Sequence, residues 1–133
     1  MNMIRIIMLP EPFNLLPAEA LPRIDAASGT AVFRQDDPSR GPYLLISGAV
    51  EMVRHTEAGH RIVLHQAHAS ETLAEASLLS DRYHCACIAS RDSTLILLDK
   101  AVVLDRMKRD ADFALALLKR MASQVQGYRR QIE

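Results

Sequence analysis

Thiols, imidazoles and carboxylates supply most of a protein's reactive chemistry, and this sequence groups several of them. His84 stands directly before Cys85, Cys87 follows two residues later, and His60, His65 and His68 lie upstream. Thiolate and imidazole together suit zinc or haem iron. The spacing argues against that use. Adjacent residues of a strand face opposite sides, so His84 and Cys85 on a strand do not share one ion. Neither C-x2-C nor H-x3-H occurs. His60 and His65, five apart, face opposite sides of a regular strand, which counts against a cupin-like barrel enzyme with a histidine-bound metal. No nucleophile–base pair stands out, so the reading is no catalytic residue, no metal and no enzyme. Glu75, at the start of a stretch that favours a short helix, suits the helix dipole by its charge alone. Arg82 is the only arginine between Glu75 and Arg91.

On a strand, Cys85 and Cys87 point to one face and make poor disulfide partners, so they read as small packing residues. Free thiols fit a reducing compartment, and the expected location is cytoplasmic. The apolar residues 1–9 are too short to span a bilayer and lack a signal-peptide cleavage pattern. The 133 residues are 49% hydrophobic and 24% charged, ordinary values for one globular domain. Sixteen basic residues balance sixteen acidic ones, so no chain-wide field draws nucleic acid or an anionic membrane.

Three stretches must position these groups within one domain, 1–133. Residues 1–28 form an N-terminal helical segment, kept to short helices by Pro17 and Pro22. Residues 29–98 are short β-prone runs punctuated by Asp36-Asp37-Pro38, Ser47-Gly48, Glu57-Ala58-Gly59 and Arg91-Asp92-Ser93. Ser70–Ser80 interrupts them with a tight loop and a short helix. Residues 99–133 are C-terminal helices. The class is α+β: an antiparallel, jelly-roll-like β-roll with short N-terminal helices and a long C-terminal dimerisation helix. In that helix Ala114, Leu118, Met121, Val125, Tyr128 and Ile132 are spaced 4-3-4-3-4, a coiled-coil seam. A second copy of the helix is the favoured partner, through Leu118, Met121, Val125, Tyr128 and Ile132. The alternative is packing on the chain's own roll.

The order of features resembles the sensor domain of the CRP/FNR regulators, the cyclic-nucleotide-binding, catabolite activator-like type. Four stretches carry the likeness. They are Phe13-Asn14-Leu15-Leu16-Pro17, Val32-Phe33-Arg34-Gln35-Asp36-Asp37-Pro38, Tyr43-Leu44-Leu45-Ile46-Ser47-Gly48-Ala49-Val50, and Glu71-Thr72-Leu73-Ala74-Glu75-Ala76-Ser77-Leu78. Each motif alone is weak, but their order and spacing together are specific.

The resemblance implies a small-molecule effector, with cyclic AMP as the candidate, in a pocket closed by the long helix. It also implies a homodimer through that helix. DNA would be contacted only through a C-terminal helix-turn-helix module, which is not read within this chain. The implied ligand-binding residues are Ala74, Glu75, Ala76 and Ser77, then Arg82, Tyr83 and His84, then Tyr128 and Arg129. Short-helix N–H groups and a fixed cation would hold a phosphate, and Glu75 a ribose hydroxyl. The chain departs from the pattern twice. Ala74 stands in a glycine position, where alanine removes the freedom to take positive φ and adds a methyl near the phosphate site. Tyr83-His84 stands where Arg-Ser/Thr is usual, leaving Arg82 one place early, either to reach the phosphate or to cap the loop. A different ligand, or a structural dimerisation domain with a degenerate pocket, remains the alternative reading.

Overall fold

The computed structural model describes residues 9–132, with side chains through Gly127. Eight strands follow in order: β1 (Arg23–Ala26), β2 (Ala31–Phe33), β3 (Tyr43–Ser47), β4 (Ala49–His55), β5 (Arg61–His68), β6 (Thr72–Leu73), β7 (Ala86–Ala89) and β8 (Ser93–Leu97). Helices α1 (Lys100–Arg109) and α2 (Ala111–Ile132) follow. The strands form two antiparallel four-stranded sheets, β1-β8-β3-β6 and β2-β7-β4-β5. This is the expected α+β roll with a long C-terminal helix.

The central strands of the first sheet, β3 and β8, are buried on both faces, which explains their nearly uninterrupted apolar runs. Along β3 and β8, Tyr43, Leu45, Leu95 and Leu97 point into the roll with Phe33, Val50 and Cys87. Their neighbours Leu44, Ile96 and Leu98 point outward onto Phe13, Val103, Phe113 and Leu117. Strand alternation thus divides one hydrophobic run between two cores. Each such buried side chain contributes roughly 1.5–3 kcal/mol of transfer free energy.

Two glycines fix the corners of the roll. A Cβ on Gly41, at φ +128°, would meet the Leu98 carbonyl oxygen at 2.3 Å. One on Gly48, at φ +95°, would meet Ser93 Oγ at 2.3 Å. Neither place has room for a side chain.

The N-terminal segment departs from its helical reading. Its helical parts are single 3-10 turns, Phe13–Leu15 and Ala18–Ala20, and Arg23–Ala26 is a strand. That strand is too short for a periodic signal. It forms by pairing with β8, Arg23 opposite Ile96 through Ala26 opposite Ser93, a partner far along the chain. The strand expected from His84 begins instead at Ala86.

Asp110 divides the C-terminal helices. Its backbone is extended, its Oδ1 accepts the Phe113 N–H at 3.0 Å, and its Oδ2 accepts Arg106 Nε at 3.0 Å. The side chain caps the first turn of α2. The Phe113 N–H, and then Arg106, hold the carboxyl below the usual aspartate value, against a smaller opposing effect of burial. Such a carboxylate adds stability above its ordinary pKa and loses it as pH falls through the lowered one. Asp110→Ala is therefore expected to lower the melting temperature by a few degrees near pH 7. The gap to the parent should narrow toward about pH 3, as thermal melts across that range would show.

Candidate functional site

A cavity of about 400 Å³ opens between the second sheet, the turn after β6 and the segment before β7. Phe33, Met52, Leu64 and Leu73 give it apolar walls, and Glu75, His65, Arg82 and His84 bring polar groups to it. Its volume suits a small organic ligand.

The register of β4 and β5 explains how consecutive residues Leu64 and His65 both reach the cavity. Met52 pairs with His65 and Val53 with Val63, so Leu64 is an extra residue in β5. Such a bulge breaks the alternation and sets one more side chain, the half-exposed Leu64, along the cavity mouth. His65 Nε2 lies 2.9 Å from Glu71 Oε1, and Glu71 Oε2 accepts the His68 N–H.

The turn after β6 is held in a demanding conformation. Ala74 lies in the left-handed region at φ 59°, ψ 43°. The chain keeps the backbone shape that a glycine there would give and accepts the steric cost of the methyl. This corrects the expectation that alanine excludes positive φ. For an L-residue the cost is roughly 1–2 kcal/mol. Ser77 braces the turn: its buried hydroxyl donates to the Ala74 carbonyl at 2.5 Å, and its own carbonyl accepts Ser39 Oγ at 2.7 Å. A one-turn 3-10 helix, Glu75–Leu78, follows.

Arg82, Tyr83, His84 and Cys85 all line the cavity. Strand alternation, which the sequence reading applies here, fails because the regular strand starts only at Ala86. Tyr83 explains the irregularity. Its buried ring stacks on Phe33 at 4.0 Å between centroids, and its hydroxyl donates to the Gly41 carbonyl at 2.7 Å. Arg82 lines the cavity and also ties the neighbouring loop, donating from Nη1 to the Asp36 carbonyl at 2.7 Å. Of the two roles left open for Arg82, the structure shows the loop contact, and the side chain also borders the cavity. His84 Nε2 sits 3.0 Å from Ser80 Oγ.

The thiols are inward and free of disulfide. Burial raises the Cys85 thiol pKa, with Glu75 adding to it and Arg54 opposing. Burial and Cys85 push Cys87 up to about 12. Both are protonated packing groups at neutral pH. Among the described residues, no three His, Cys, Asp or Glu side chains converge to hold a metal ion.

Glu75 also connects the cavity to α2. Its Oε1 accepts from Thr72 Oγ1 at 3.0 Å and from Gln124 Nε2. Gln124 further grips β6, donating to the Thr72 carbonyl at 2.8 Å and accepting the Thr72 N–H at 3.2 Å. Nearby, Arg120 donates to the Ser70 carbonyl and stacks over the Phe13 ring at 5.3 Å. Sequence reasoning looks for the helix contact at Tyr128 and Arg129, whose side chains lie outside the described residues, as does that of Ile132. It passes over Gln124. A polar residue at the 113-117-124 spacing, on the inward helix face, is the available signal.

A family model for the cyclic nucleotide-binding domain matches residues 23–110. The chain belongs to the cyclic nucleotide-binding domain family. Across 94 residues the domain is 31% identical to a cAMP-dependent protein kinase regulatory subunit from Dictyostelium discoideum, covering 68% of this chain and 27% of that protein. The sensor domain of the transcriptional regulator DNR from Pseudomonas aeruginosa is similar at 27% identity and TM-score 0.71, with 86% of this chain and 78% of that one covered. The Thermus thermophilus catabolite activator protein shares the fold at 23% identity and TM-score 0.71, with 86% of this chain and 54% of that one covered. The likeness to CRP/FNR regulators noted in the sequence is borne out by these matches. The family is one of regulatory domains. Among the described residues, no helix of the domain is long and apolar enough to cross a membrane.

The strained turn gives a direct test. Ala74→Gly removes the steric cost at positive φ, and the flexibility it adds to the unfolded chain offsets only part of the gain. A melting temperature about 2–4 °C above the parent is expected by calorimetry; a lower one would mean that the methyl contributes packing that outweighs its strain.

Proposed function

We propose that the domain is the ligand-sensing, dimerising module of a CRP/FNR-type transcription regulator, taking a small effector in the β-roll cavity. The observation that carries this reading is the cavity's membership. Ala74, Glu75, Ala76, Ser77, Arg82, Tyr83 and His84, the described part of the ligand set implied by the resemblance, all line it. A cyclic nucleotide is the first candidate effector, supported by the family and by the kinase regulatory subunit among the relatives. Arg82 would supply the cation for a phosphate and Glu75 an acceptor for hydroxyl groups. Tyr128 and Arg129 are proposed to extend the ligand set from α2. No catalytic step is assigned to the domain.

Dimerisation is proposed through α2. Phe113 and Leu117 are buried against the roll, whereas Leu118 and Val125 are 62% and 55% exposed. Met121 packs partly on the inner cluster, so the seam runs along the boundary between the roll and the open face. Tyr128 and Ile132 would continue it. Each large apolar residue left in water forgoes roughly 1.5–3 kcal/mol, which a second α2 would recover. In a full regulator, DNA contact would come from a module outside this chain, and effector occupancy would bias it by shifting how the paired helices lie. The protonated, disulfide-free cysteines suit the reducing cytoplasm proposed for it.

Two measurements test this reading. Saturating cyclic AMP or cyclic GMP is expected to raise the melting temperature by several degrees, and Glu75→Ala should abolish the shift. No shift with either nucleotide would count against a cyclic-nucleotide effector. In gel filtration with light scattering, the parent chain should run as a dimer and Val125→Glu as a monomer. Equal masses for the two would remove the helix from the interface.

A further inference from the structure

Glu75 brings the one carboxylate to the cavity among the residues that line it, and its two oxygens are used differently. Oε1 receives a hydrogen bond from Gln124 Nε2 and shares the single Thr72 hydroxyl proton with Gln124 Oε1. Oε2 carries no hydrogen bond from the described residues. Thr72 is itself 1% exposed, and Gln124 clasps it through N–H, hydroxyl and carbonyl at once. A side chain with several rotatable bonds is therefore pinned at one oxygen by a buried strand and a helix. The other oxygen is left for whatever enters.

We infer that Gln124 is a positioning residue for the ligand: by donating to Oε1 it holds Glu75 with Oε2 available to a hydroxyl or N–H donor, and it makes the seating of α2 depend on cavity occupancy. The inference rests on the reading of the cavity as an effector site. An acceptor already held in place loses little conformational freedom when a donor arrives, which favours binding. The linkage is reciprocal: if docked Gln124 favours the ligand, the ligand favours docked Gln124 by the same factor. Occupancy would then be felt at the helix through Glu75, without the ligand having to touch α2.

The test uses cyclic AMP and cyclic GMP as probes on the full chain, with calorimetric affinities and amide exchange over residues 118–127. Gln124→Ala is expected to weaken nucleotide binding about tenfold, the scale of one hydrogen bond to a charged group. Nucleotide should slow exchange in that part of α2 in the parent and not in the variant. Gln124→Glu separates positioning from a loss of fold. Near neutral pH the carboxylate it introduces repels Glu75 and affinity falls; on acidification toward about pH 5 that carboxyl group, once protonated, can donate to Oε1 again. Affinity relative to the parent at the same pH should then recover, and that of Gln124→Ala should not. Nucleotide binding that is equally tight in parent and Gln124→Ala would overturn the inference while leaving the effector site intact. Binding by neither form would remove the cyclic-nucleotide reading of the site, and the positioning role for such a ligand with it.

Discussion

The pairing of β3 with β8 is the constraint from which the rest of the architecture follows. Tyr43 sits opposite Leu97 and Leu45 opposite Leu95, both pairs directed into the roll, while Leu44 and Ile96 pair on the outer face. A sheet that is apolar on both sides must be covered on both sides. The second sheet covers the inner face; α1, α2 and the N-terminal 3-10 turns cover the outer one. One wall thus separates the roll interior from the helical layer. β6 pairs along the edge of that wall, with Tyr43 opposite Leu73 and Leu44 opposite Thr72. The turn that lines the cavity and the strand that receives Gln124 are consequently consecutive in the chain.

This placement explains why a short polar network can matter in a mostly apolar structure. Thr72, Glu75 and Gln124 lie where strand, turn and helix meet. Partly screened from water, their hydrogen bonds gain strength from one another and are costly to leave unmade. Burial of Phe113 and Leu117, with the Asp110 cap, anchors the start of α2, while farther along the helix polar groups share that task. A boundary held by directional bonds can discriminate between arrangements in a way that an oily contact cannot.

Much of this is legible in the residues. Gly48 and the Glu57-Ala58-Gly59 turn mark strand ends, the prolines at 17 and 22 keep the N-terminal helices short, and the family pattern at 71–78 locates the turn. The misses have specific causes. β1 owes its form to a partner some seventy residues away, and four residues carry no local signal of that. The alternation assumed at 82–85 gives way to Tyr83, whose ring and hydroxyl are both committed to other parts of the fold. That both Leu64 and His65 border the cavity depends on a bulge that period-two reasoning does not anticipate. Ala74 shows tertiary packing overriding a local backbone preference.

The Tyr83 anchorage has a wider meaning for how the cavity can vary. Besides its hydroxyl bond to Gly41, the segment exchanges backbone bonds with the preceding loop: Asp36 N–H to the Tyr83 carbonyl at 2.9 Å, Tyr83 N–H to the Asp37 carbonyl at 3.0 Å, and Ser39 N–H to the Asp81 carbonyl at 2.8 Å. Two stretches more than forty residues apart are thereby stitched into one rigid rim. Neither can drift or be exchanged independently, so a change in what this mouth admits requires coordinated substitution in both halves, and single replacements in either would be expected to disturb the seam before they retune the opening.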